Sequence, residues 1–116
     1  MIVKLCNASD LPAPGEMRSF HGRGLELCLA RTQKDPDSFF VFDNRCPHQN
    51  APLNAGCLDG DTVVCPYHSW KFNVVTGAPD HEGDPSLTTY EARQYDDEIF
   101  VRIPQEAIKD RLTTAE

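Results

Sequence analysis

An all-β fold is the class this sequence predicts, and three observations predict it. Apolar residues recur with period two or in short runs rather than at helical spacing. Nine Pro and seven Gly break the chain into brief segments. Only residues 105–112, with Ala107, Ile108 and Leu112 on one side, carry a helical pattern. In order along the chain, residues 2–6 form a short β-prone opening. Leu25, Leu27 and Leu29 alternate with Glu26, Cys28 and Ala30, the pattern of a half-buried strand. Phe39-Phe40-Val41-Phe42 is a run of strand formers ended by Asp43-Asn44. The turn signal Asp59-Gly60-Asp61 leads into Thr62-Val63-Val64. Residues 87–92 and 98–103 flank Asp96-Asp97 and read as a hairpin. No internal repeat, linker or low-complexity tract is visible.

The 116 residues, 40% of them hydrophobic, suit a single domain spanning 1–116 and exclude a multidomain catalytic machine. The net charge is −7. That balance argues against nucleic acid, which needs a positive patch to displace counterions. Residues 1–79 hold seven basic and eight acidic side chains, and residues 80–116 hold four and ten. The acidic third reads as a solvated face or as a docking surface for a basic partner. No apolar run approaches the roughly 20 residues of a spanning helix. The opening residues lack the pattern of a secretory signal, so a cytoplasmic address is expected. Five cysteines, an odd number, speak against a disulfide framework and for metal or redox chemistry.

Two short segments carry that chemistry. Cys46-Pro47-His48 and Cys65-Pro66-Tyr67-His68 each supply one thiolate and one imidazole, with sixteen residues between His48 and Cys65. Both begin Cys-Pro after an apolar strand candidate, which places them on two loops at one end of a sheet. Proline fixes φ and removes a donor, which suits a rigid turn beside a ligand. Two facing loops of this kind match a [2Fe–2S] cluster with two Cys on one iron and two His on the other. The rival is a Cys₂His₂ zinc site in an interaction module, although zinc fingers space their ligands differently.

The pattern Cys-x-His-x₁₆-Cys-x₂-His resembles the signature of the Rieske [2Fe–2S] proteins. The wider runs Cys46-Pro-His-Gln-Asn-Ala-Pro-Leu53 and Cys65-Pro-Tyr-His-Ser-Trp-Lys-Phe72, followed by Thr76-Gly77, look like the cluster loops of soluble bacterial Rieske ferredoxins. The likeness is strongest over residues 39–79. It implies a base of antiparallel sheets, sandwich-like, topped by a small subdomain with cluster loops at about 44–58 and 64–79. It also implies that Cys46 and Cys65 ligate one iron, and His48 and His68 the other through Nδ1.

Departures from one branch of the family are informative. Respiratory Rieske proteins place two further cysteines in these loops as a bracing disulfide, where this chain has Ala51 and Tyr67. They also place a Ser and a Tyr after the second His as donors to sulfur, where this chain has Trp70 and Phe72. Hydrogen bonds to sulfur favour the more negative, reduced cluster. Their loss predicts a potential near the low end of a range spanning roughly −150 to +300 mV.

The resemblance implies an electron-transfer component rather than a catalytic subunit. Its expected route runs from an NAD(P)H-dependent flavin reductase to a terminal Rieske oxygenase, with the protein acting as a monomer. Small subunits of assimilatory NAD(P)H nitrite reductase share the fold and form the alternative. A mononuclear iron domain has no room in 116 residues. Cys57 reads as a small buried thiol, with a third soft ligand as the sharper reading. Cys6 and Cys28 read as core, His21 and His81 as exposed, and Trp70 as packing beneath a loop. Pro79 reads as a turn proline or as cover for the cluster.

Overall fold

The computed structural model describes residues 2–22, 25–32, 38–47, 51–66, 70–80 and 82–104. The helical pattern at 105–112 and His81 lie outside the described residues. Strands β1 (Ile2–Asn7), β2 (Met17–Gly22), β3 (Leu25–Arg31) and β4 (Phe39–Asp43) come first. After a 3₁₀ turn at Leu53–Ala55 come β5 (Cys57–Asp59), β6 (Thr62–Val64) and β7 (Lys71–Asn73). The chain closes with β8 (Thr89–Tyr90), β9 (Ala92–Tyr95) and β10 (Glu98–Arg102). They form three antiparallel sheets, ordered β1-β10-β9, β2-β3-β4-β8 and β5-β6-β7. The expected all-β class with antiparallel sheets is therefore what the chain adopts.

The four-stranded sheet is the middle layer, and both of its faces are covered. Leu27 and Leu29 on β3 and Val41 on β4 join Ile99, Val101 and Tyr90 in one apolar cluster, against the β1-β10-β9 sheet. Cys28, Ala30 and Phe42 point the other way. They join Cys46, Leu53, Val63, Cys65 and Phe72 in a second cluster, beneath the β5-β6-β7 sheet and its loops. The half-buried reading of residues 25–30 is corrected: Leu25, Leu27, Cys28, Leu29 and Ala30 are all buried. Cys28 and Ala30 are small and apolar enough to line a core, so alternation with leucine did not signal a wet face.

The single strand expected at 87–92 is divided. Thr89 and Tyr90 pair with Phe42 and Val41, whereas Ala92 pairs with Val101 in the neighbouring sheet. Glu91 is the crossing point, and its carbonyl accepts from the Arg102 N–H at 2.8 Å. A strand that changes sheets in this way closes the corner of a sandwich. Asp96 takes a φ of 52° in the tight turn joining β9 and β10, as expected of a hairpin there. Three strands, β2, β5 and β7, had no clear sequence signal. β2 is an edge strand of mixed polarity, and β7 has a single buried residue, Phe72.

Candidate metal centre

Both cysteines of the two motifs are sealed in the interior. Cys46 is 0% and Cys65 2% exposed, and they share one apolar cluster. Each begins a loop closed in the same way. The Cys46 N–H donates to the Ala51 carbonyl at 2.9 Å, and the Cys65 N–H donates to the Trp70 carbonyl at 2.7 Å. In both cases the closure spans five positions and brackets the histidine of that motif in the sequence. His48 and His68 themselves lie outside the described residues.

The loops are anchored differently. The second is carried by the β6-β7 ladder, in which Val64 pairs with Lys71 immediately outside Cys65 and Trp70. The first leaves β4 and returns into the 3₁₀ turn, with one isolated bridge, Arg45 to Pro52, at its base. Beneath that bridge is Asn44, fully buried. Its N–H donates to the Glu26 carbonyl at 3.0 Å, and its own carbonyl accepts from Leu53 at 2.7 Å. Its side-chain oxygen accepts from the Asn54 N–H at 2.9 Å, while its Nδ2 donates to Asn54 Oδ1 at 2.8 Å. Sequence reasoning passed over Asn44 as a turn residue, because its partner lies ten positions away.

The loops also touch. A Cβ added at Gly56 would fall 1.9 Å from the Val64 carbonyl oxygen and 3.2 Å from Pro66 Cδ. Only a glycine lets the exit of the first loop lie this close to the entry of the second. Gly77, with φ 81°, holds the following turn against Leu87 by accepting its N–H at 2.8 Å. The side chain of Asn73 supports that turn by accepting from Val75 and Thr76. Pro79 bridges back to Phe72 and is half-buried, so it belongs to this turn.

The other singled-out residues sort by strand parity. Cys57 is exposed, which corrects the expectation of a buried thiol. Leu58 points inward on this three-residue strand, so its neighbours Cys57 and Asp59 point outward. Cys6 and Cys28 are buried, and burial pushes the Cys28 thiol up to about 12. His21 is exposed, and Trp70 packs partly buried against the cluster that contains both cysteines.

The donor set fits a metal–sulfur group. None of the five cysteines forms a disulfide, so Cys46 and Cys65 are not spent on one. Both cysteines contribute soft sulfur donors to one buried apolar cluster. Among the described residues no group of three or more His, Cys, Asp or Glu is assembled, because two of the four candidate ligands fall outside them.

Known proteins extend the picture. Residues 1–91 match the family model described as Rieske [2Fe-2S] domain. Ferredoxin CarAc of Metapseudomonas resinovorans is 40% identical over 78 residues, covering 66% of this chain and 69% of that protein. A chain from the complex of reduced oxygenase and oxidized ferredoxin in carbazole 1,9a-dioxygenase superposes with a TM-score of 0.75 at 34% identity. That match covers 86% of this chain and all 100% of the other. A protein described as an NADPH nitrite reductase small subunit has a TM-score of 0.74 over 89% of this chain and 99% of its own. At 21% identity, that last likeness shows the fold alone.

Proposed function

The chain belongs to the Rieske [2Fe-2S] domain family, and from that premise we propose that it is a low-potential ferredoxin of an oxygenase system. It accepts one electron from an NAD(P)H-dependent reductase and passes it to a terminal oxygenase. Family membership implies a Rieske [2Fe–2S] cluster, which supplies a one-electron couple when bound. Cys46 and Cys65 hold one iron, and His48 and His68 the other.

The observation that carries the reading is the pair of buried cysteines, each at the head of an identically closed loop. The protein's part is to position these ligands, keep water from the sulfur side and present the loops to a partner. The closures direct the Cys46 and Cys65 N–H groups at the Ala51 and Trp70 carbonyls, tying the two ends of each loop together. The two apolar clusters join all three sheets through the middle one, which supports a single domain. Five cysteines, none of them in a disulfide, support a reducing, cytoplasmic compartment. Among the described residues no helix is long and apolar enough to cross a membrane.

The purified protein is expected to be red-brown, to bleach with dithionite and to contain about two irons. Mixed with a reductase and a terminal oxygenase, it should support turnover that the pair alone does not. A colourless protein holding one zinc would overturn the assignment.

A further inference from the structure

We propose that Asn44 is the positioning residue of the first cluster loop, taking the place that the β6-β7 ladder takes for the second. The inference rests on the cluster reading above and names the residue that holds half of that site in register. Loop two is braced on both sides by strand pairing, Val64 with Lys71 and Val63 with Phe72. Among the described residues, loop one has no ladder, only the single bridge of Arg45 to Pro52. All four polar groups of Asn44 are bonded: its carbonyl and both side-chain groups to Leu53 and Asn54, where the loop re-enters, and its N–H to Glu26 of β3.

Those bonds connect three bodies. The Asn44 N–H reaches the Glu26 carbonyl at the β3 end of the middle sheet. Its carbonyl and side chain hold Leu53 and Asn54, where loop one re-enters the fold. Gly56, two residues further on, lies against Val64 at the entry to loop two. The path from Asn44 to Gly56 therefore sets where Cys46 stands relative to Cys65. Asn44 is fully buried, so no water can replace a lost partner without opening the loop.

A graded series tests this. Asn44→Ala removes both side-chain bonds. Asn54→Ala removes one and leaves the Asn54 N–H bonded to Asn44. Asn54→Asp keeps an acceptor for Asn44 Nδ2. The readouts are the EPR g-values of the reduced protein, its midpoint potential and the rate of iron release to a chelator. Ile99→Val, in the far apolar cluster, serves as a control of comparable global destabilisation.

Asn44→Ala is expected to release iron about tenfold faster, the combined factor of its two lost side-chain hydrogen bonds. It should also shift the g-values and the potential. Asn54→Ala should fall between, and Ile99→Val should match the parent in all three. Asn54→Asp should match it in g-values and iron release, its added charge lowering the potential. If Asn44→Ala does not fold, Asn54→Ala against Asn54→Asp decides the matter. Parental spectra and release rates in both alanine variants would overturn the inference. A parent without two irons would instead sink the cluster reading, and this inference with it.

Discussion

Phe72 and Trp70 follow the second cysteine–histidine motif, and neither brings a hydroxyl. Phe72 is fully buried in the cluster that contains both cysteines, and Trp70 packs against its rim. Restoring donors with Trp70→Ser and Phe72→Tyr should raise the midpoint potential, read by voltammetry; an unchanged potential would refute the link between these positions and cluster tuning. Cys28 tests the same core by titration. Its thiol, ordinarily at 9.0, is raised to about 12 by burial. Below pH 9 both folded and unfolded thiols are neutral, so the stability is intact. Between pH 9 and 12 only the unfolded thiol ionises, so stability is lost as pH rises, by up to about 4 kcal/mol. Urea midpoints of the parent should therefore fall more steeply over that window than those of Cys28→Ala. Parallel curves would contradict it.

Among elements, the loops and their joint decide the site. At Gly56 the constraint is space, because the Val64 carbonyl oxygen occupies the place a Cβ would take. Gly56→Ala sets a methyl against the Val64 carbonyl and must push the loops apart. A destabilisation of about 1–3 kcal/mol is expected in urea, together with faster iron loss to a chelator. Unchanged iron retention would show that the loops are not held by this contact. The exposure of Cys57 and the division of the strand around Glu91 also belong to this scale. Each follows from which neighbour faces a core, a fact of packing that short polar-and-apolar runs do not encode.

Across the whole molecule, the acidic side chains described beyond residue 79 are shared between the outer sheet and the connection that follows β7. Glu91 pairs with Arg93 at 2.8 Å and Glu98 with Lys4 at 3.0 Å, on the outer sheet. Asp80 and Glu82 are exposed on the connection that follows β7, beside the cluster subdomain. Docking by charge should therefore involve that connection. Electron transfer to an oxygenase should slow about tenfold between low salt and 0.5 M salt. A salt-independent rate would remove electrostatic guidance.

The sequence by itself determined the β class, the cluster chemistry and four candidate ligands. Metal binding demands particular side chains at short, fixed spacings, and Cys46, His48, Cys65 and His68 carry that demand in their order. Tertiary structure alone decided what holds those loops together. Asn44 reaches across ten residues to Asn54, and Gly56 meets Val64 of another strand. Such contacts depend on which segments the two apolar clusters draw together, and burial is what turns an ordinary turn asparagine into a joint.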